Sequence, residues 1–209
     1  MIRVINIERE YGSGGAGIAE KLAQRLHWKL WDQSVTAEVA RLARVDPAAV
    51  ERREERVDPL YYRLFKVFMR GSFERSLPVG LEHFDCDRLV SLIERVIEDA
   101  AAGGNCVIVG RGAPYFLRGR SGVFNVFIFA PQEEKIRRIR EIGKSEAEAI
   151  ELVETVDKER ATFVKRYCDI NWPSRPLYHL MLNSAVGDET VIDLILREVE
   201  LLNRPGAAG

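Results

Sequence analysis

The stretch with the clearest capacity for chemistry is Gly12-Ser13-Gly14-Gly15. It follows the β-branched run Val4, Ile5 and Ile7 and precedes Ile18, Leu22 and Leu26, spaced i, i+4, i+8. Strand, glycine-rich turn and helix together make a phosphate cradle, because glycines let successive N–H groups converge on an anion and the helix N-terminus adds partial positive charge. A Walker A loop, GxxxxGK[ST], would also carry a lysine for the terminal phosphates and a hydroxyl for Mg²⁺. With Gly14 on the second motif glycine, Gly15 stands at the lysine position, Ala16 at the Ser/Thr position and Arg9 at the first glycine. The loop therefore has the shape of a phosphate site without its usual side chains. Tight strand-to-helix packing is the alternative explanation for such a glycine run.

The elements that must position this loop follow from periodicity. His27 to Trp31 reads as a short second strand ending at Asp32, and Ser34 or Asp32 caps a helix running to about Val45. Asp87 to Ala102 is amphipathic, with Leu89, Leu92, Ile93, Val96 and Ile97 on one face, and Gly103-Gly104 ends it. Cys106 to Val109 and Val123 to Phe129 are continuous apolar runs suited to buried parallel strands. A helix starts near Glu133, helices fill 145 to 168, Leu180 to Leu182 makes a last strand, and Glu189 to Asn203 a final helix. Strands alternating with helices predict an α/β fold, a three-layer parallel sheet with helices on both faces. Ligands bind such sheets beyond the carboxyl ends of the strands. The 9–15 loop, Asp32, Arg111 and the start of the helix after Pro131 all follow strands, so one edge should collect them.

Composition narrows the classes. With 31 Lys+Arg against 32 Asp+Glu, the formal charge of -1 argues against a nucleic-acid coat or a membrane-surface protein. No window resembles a membrane span, and the chain enters a strand at once where a signal peptide would lie. The three cysteines, Cys86, Cys106 and Cys168, are scattered and lack CxxC spacing, which points to a reducing cytoplasm and no zinc or disulfide framework. His27, His83 and His179 are isolated and read as structural or exposed. The run from Ala48 to Arg56 reads as a solvated, highly charged helix face. Between 58 and 85 the pattern is irregular and aromatic; Tyr61, Tyr62, Phe65 and Phe68 suit a packing stripe or a homodimer contact equally well.

The segments EREYGSGGAGIAEKLA, CVIVGRGAPYFL, VFIFAPQEEKIRRI, VDKERATF and YHLMLNS, in this order, resemble the cytidylate kinase-like proteins, relatives of bacterial CMP kinase among the P-loop nucleoside monophosphate kinases. The resemblance implies one domain over 1–205: a core of 1–45 and 86–145, a helical NMP-binding insertion at about 46–85, a lid at about 150–175 and a C-terminal strand and helix at 178–203. Residues 206–209 would fray. It further implies ATP-dependent phosphoryl transfer to a CMP-like acceptor, with ATP and Mg²⁺ as cofactors. Partners would be a nucleotide donor and a small-molecule acceptor; nucleic-acid polymers and membranes are not expected.

Carried over by position, the resemblance makes Gly12, Ser13, Gly14 and Gly15 the wrap around the donor phosphates, with Arg9 a candidate positive charge beside them. Asp32 would lie near the acceptor, and Arg111 would clamp its phosphate. A guanidinium fork binds phosphate bidentately, and flanking glycines let it reach in. Arg138 would face the donor nucleotide and Asn183, with Ser184, its base. Lys158 and Arg160, backed by Lys165 and Arg166, would be the cationic lid, with Arg111, Arg160 and Lys158 as catalytic groups and Arg166 as a substrate contact. Helix capping is the competing explanation for Asp32, and surface solvation for the helical cations. Because Gly15 and Ala16 replace the Walker side chains, a nucleotide-binding regulatory or assembly module with little kinase activity is the rival reading. A kinase of another small acceptor is a third. No protein metal ligand is expected: Val109 and Ala113 stand where CMP kinases carry acids.

Overall fold

In the computed structural model, residues 1–43 and 86–204 are described. The expectations for the charged run, the 46–85 insertion with its aromatic stripe, His83 and the 206–209 tail lie outside the described residues. Five parallel strands form one sheet in the order β2-β3-β1-β4-β5. They are β1 (Val4–Arg9), β2 (Lys29–Trp31), β3 (Cys106–Val109), β4 (Val123–Phe129) and β5 (Leu180–Asn183). The described helices are α1 (Gly15–Leu26), α2 (Gln33–Ala43), α3 (Cys86–Gly103), α4 (Ala113–Phe116), α5 (Gln132–Glu141), α6 (Glu146–Cys168) and α7 (Asp188–Leu202). The four-residue α4 was not legible in the sequence, being too short to show a period.

The alternation of side chains along each strand sorts the core into two layers. Ile5 and Ile7 of β1, Val107 and Val109 of β3, and Phe124, Val126 and Ile128 of β4 pack against α1 and α7. On the opposite face Val4, Cys106, Ile108 and Val123 meet α2, α3, α4 and the end of α6. A smaller apolar cluster, Tyr11, Ile139, Ala149, Val153 and Val156, joins α5 to α6 beyond the sheet. Among these apolar strands, Asn6 and Glu8 of β1 are buried polar residues. Asn6 is in register with Asn125 and donates to its side-chain oxygen at 2.8 Å, so a polar tie crosses the core between β1 and β4.

Residues 146–168, which hold most of the expected lid, form one continuous helix. A capping box of Ser145 and Glu148 starts α6, and its inner face, including Arg160, Phe163 and Val164, is buried. His179 accepts from the Asn125 N–H at 2.9 Å and stacks on Phe124, and His27 ends α1 in a left-handed conformation; both are structural residues. Among the described residues no helix is long and apolar enough to cross a membrane.

Candidate active site

Because all five strands run the same way, the turns after β1, β2, β3 and β4 meet at one edge, and β1 lies between β3 and β4 where the chain changes direction across the sheet. That is the position at which open α/β sheets leave a crevice. The turn after β1 closes through Ser13, whose N–H and hydroxyl both donate to the Glu10 carbonyl at 3.3 and 2.9 Å. Gly14 then caps α1 with φ 77 and ψ 1, a left-handed conformation that only glycine adopts without strain. A cavity of about 170 Å³ opens above the first turn of α1, lined by Arg9, Tyr11, Gly12, Gly14 to Gly17, Arg138, Ile139 and Arg160. The N–H groups of a first helical turn have no partners within the helix, so this floor suits an anion. Ser13 is fully buried, with both of its donors engaged by the loop itself.

Beside the cavity lies a buried cluster of charges. Glu8, Arg9, Asp32, Arg111 and Arg160 are each no more than 9% exposed. Arg111 adopts φ 60 between two glycines that are also left-handed, an uncommon conformation for a side chain of its size. Its Nη2 stands 3.6 Å from Asp32 Oδ1. Arg160 reaches in from α6: its Nη1 donates to the Arg9 carbonyl at 3.1 Å and to Asp157 Oδ1 at 3.0 Å. Asp157 in turn accepts the Tyr11 N–H, at 2.9 Å to one oxygen and 3.2 Å to the other, tying α6 to the glycine loop. Arg9 Nη1 is 4.0 Å from Glu8 Oε1, and Arg9 Nη2 is buried with no hydrogen-bond partner.

Desolvation dominates the electrostatics of this cluster. Burial lowers the Arg9 pKa, Arg160 adding to the effect while Asp32, Glu8 and Asp157 oppose it. Burial likewise pushes Arg111 down to about 10, against the pull of Asp32, with Arg9 and Arg160 contributing in the same direction as burial. The carboxyls of Glu8 and Asp157 are raised, again by burial first, with Arg9 and Arg160 opposing at Glu8 and Arg160 opposing at Asp157. Three guanidinium groups, Arg9, Arg111 and Arg160, crowd one another here beside the carboxyls of Glu8, Asp32 and Asp157. A phosphate brought to this edge would add acceptors and opposing charge for the guanidiniums.

The other side of the loop is held by a brace. Arg138 donates from Nη1 to the Ser13 carbonyl at 3.0 Å, from Nη2 to the Ser184 carbonyl at 3.1 Å and from Nε to Glu134 at 2.6 Å. Asp188 lies 3.3 Å from its Nη2. Ser184 Oγ donates to the same Ser13 carbonyl at 2.6 Å. Lys135 pairs with Glu10 at 2.9 Å across the loop. Arg138 thus lines the cavity, but its donors are engaged in fixing the loop. Asn183 accepts from the Ala185 N–H at 3.0 Å and so caps a short turn after β5. Lys158 and Arg166 are exposed on α6, and Lys165 pairs with Asp169 at 2.7 Å. Two positions from Arg160 is about 200° around a helix, so burying Arg160 turns Lys158 outward. The structure therefore brings Arg9, Gly12, Gly14, Gly15, Arg138 and Arg160 to the cavity and Asp32 and Arg111 to the charge cluster. It does not bring Ser13, Lys158, Arg166 or Asn183 to either.

Sequence reasoning passed over Glu8, Tyr11, Asp157 and Lys135. A carboxylate inside the apolar run of β1 was the available signal for Glu8, and the i, i+3 spacing of Asp157 and Arg160 the signal for that pair. Among the described residues no group of three or more His, Cys, Asp or Glu could hold a metal, and Ala16 lacks the side-chain hydroxyl that a Walker A loop offers to Mg²⁺.

A parallel sheet with this strand order, helices on both faces and a glycine loop after β1 is the fold of the P-loop nucleoside monophosphate and shikimate kinases. The chain belongs to the cytidylate kinase-like family, whose sequence pattern matches residues 4–186. No curated protein matches. Among solved structures it is similar to an uncharacterized protein from Eubacterium ventriosum ATCC 27560, with TM-score 0.69, 22% identity, and 98% of this chain and 100% of that chain covered. A shikimate kinase from Bacteroides thetaiotaomicron superposes with TM-score 0.53 at 17% identity, covering 96% and 100% of the two chains. A shikimate kinase from Acinetobacter baumannii in complex with shikimate gives 0.52 at 15% identity, covering 98% and 97%.

Proposed function

We propose that this protein transfers the terminal phosphoryl group of ATP to a nucleoside monophosphate of the CMP or dCMP type. The observation that carries the reading is the buried arginine cluster beside the glycine loop: Arg9, Arg111 and Arg160 are all gathered at one edge, where burial works against the charge of Arg9 and Arg111. Phosphoryl transfer needs positioning and charge neutralisation more than covalent chemistry. The first turn of α1 would receive the donor phosphates through Gly14 to Gly17. Arg111, set against Asp32, would hold the acceptor phosphate. Arg160, locked by Asp157 onto the end of β1, would stand between them and stabilise charge on the group in transit. ATP would supply the phosphoryl group, and neutralisation by the chain itself is assigned to the guanidinium groups of the cluster.

A second reading is favoured by Gly15 and Ala16, which deprive the loop of its usual lysine and hydroxyl: a nucleotide-binding regulatory or assembly module. Coupled ADP release with ATP·Mg²⁺ and each of CMP, dCMP, UMP, AMP, GMP and shikimate, beside calorimetry of the same ligands, separates the cases. Turnover of CMP or dCMP supports the proposal. Binding of nucleotide without turnover favours the regulatory module, and turnover of a non-nucleotide with CMP silent would replace the acceptor.

A further inference from the structure

The slot that holds Arg9 is made by two glycines from two different turns. A Cβ added at Gly15 would lie 2.7 Å from Arg9 Cβ and 3.1 Å from its Cγ. A Cβ at Gly110 would lie 1.9 Å from Arg9 Nη1. The stem of Arg9 therefore runs over Gly15 and its head over Gly110. Gly15 is not among the glycines with positive φ, so the backbone at that position does not demand glycine; the space does. The clash is with the base of the Arg9 side chain, which cannot swing aside as a flexible tip would.

Position 15 is where a Walker A loop carries its lysine. We infer that Arg9 replaces that lysine in this chain: an arginine at position 9 and a side chain at position 15 are mutually exclusive occupants of one slot, and Arg9 delivers the donor-phosphate charge from the end of β1 instead of from the helix. Two observations beyond the steric one support this. Arg9 lines the cavity over the first turn of α1, and its buried Nη2 has no hydrogen-bond partner. Two guanidinium groups that line the same cavity differ in this respect: Arg160 Nη1 is engaged by the Arg9 carbonyl and Asp157, and Arg138 by the Ser13 and Ser184 carbonyls and Glu134. The exchange is chemically apt, because a guanidinium can give two parallel donors to a phosphate where an ammonium acts as a point charge. The inference rests on the proposal that the glycine loop receives donor phosphates.

The test uses the full chain, inorganic tripolyphosphate and ATP as probes, calorimetry for affinity and thermal unfolding for stability. Arg9→Met keeps the stem and removes the charge; it should weaken tripolyphosphate binding by about 10- to 100-fold, the worth of a hydrogen bond to a charged group. Gly15→Lys alone should lower the Tm and weaken binding. Arg9→Ala/Gly15→Lys should regain Tm relative to Gly15→Lys and recover part of the affinity, because the lysine then has the slot to itself. Tripolyphosphate binding unchanged in Arg9→Met would overturn the inference and leave the phosphate reading intact. So would a Tm loss for Gly15→Lys that is the same with and without Arg9. Absence of tripolyphosphate and ATP binding by the wild-type chain would overturn both.

Discussion

Two arginines cross the same glycine loop and end in opposite conditions. Arg138 lies over Gly14, where a Cβ would fall 1.7 Å from its Nη1, and its donors are engaged by the Ser13 carbonyl, the Ser184 carbonyl and Glu134. Arg9 lies over Gly15 and Gly110, deeper in the fold, and keeps one guanidinium nitrogen without a hydrogen bond. Both explain why the loop is glycine, but they do different work. A guanidinium saturated by carbonyls and carboxylates is a brace, whose interactions are already made before any ligand arrives. An unsaturated one in a buried cluster has a deficit that an anion relieves. The side of the edge nearest α5 and β5 is therefore built for shape, and the side formed by β1, β3 and α6 for charge.

The largest effect should come from the charged side. Arg111→Ala leaves Asp32 buried without its guanidinium and should cost about 3–5 kcal/mol in denaturant unfolding, the usual result of breaking a buried pair. It should also reduce CMP affinity beyond what that loss explains. Stability lost with acceptor affinity unchanged would make this cluster as structural as the brace and erase the contrast. Arg138→Ala should cost about 1–2 kcal/mol for its hydrogen bonds to the two carbonyls. Its tripolyphosphate affinity should fall less than that of Arg9→Met. The reverse order of affinities would exchange the two roles.

Glu8 sharpens the comparison through pH. Its folded pKa is raised from 4.5, so its contribution to stability is complete below that value and is lost as pH rises through the folded value. Glu8→Gln should flatten the fall in Tm on raising the pH from 4.5 toward neutrality. An unaltered Tm–pH slope would remove Glu8 from the account. The smallest effect belongs to Lys158→Ala, which should change tripolyphosphate affinity by no more than about twofold, as an exposed and screened charge would. A loss comparable to Arg9→Met would show that α6 presents Lys158 as well as Arg160 to the ligand.

Much of the frame was legible in the sequence because burial on both faces of a parallel sheet demands unbroken apolar runs. Cys106 to Val109 and Val123 to Phe129 could be little else, and the helix over 86–103 follows from its amphipathic period. The cradle at Gly12 to Gly15 was legible from its glycines, as was the gathering of Asp32 and Arg111 at one edge, since parallel strands deliver every following turn to the same end. The inner or outer role of the helical cations was not. Arg160 and Lys158 are near neighbours of the same charge type in the sequence, and only the docking of α6 against the Arg9 carbonyl and the Tyr11 N–H buries one and exposes the other. Ser13 and Asn183 looked like polar groups for a ligand, yet local geometry turns them to the Glu10 carbonyl and the Ala185 N–H.

The order of residue types along the chain therefore determined the strands, the main helices, the glycine turn and the family. Pairings between distant positions were decided by the tertiary structure alone: Arg9 with Gly15 and Gly110, Arg138 with Ser13 and Ser184, Asp157 with Tyr11. The reason is that hydrophobic period and turn chemistry are local signals, carried by neighbours in sequence. Whether a guanidinium is saturated or left with a free donor depends on which carbonyls and carboxylates the folded chain sets within about 3 Å of it.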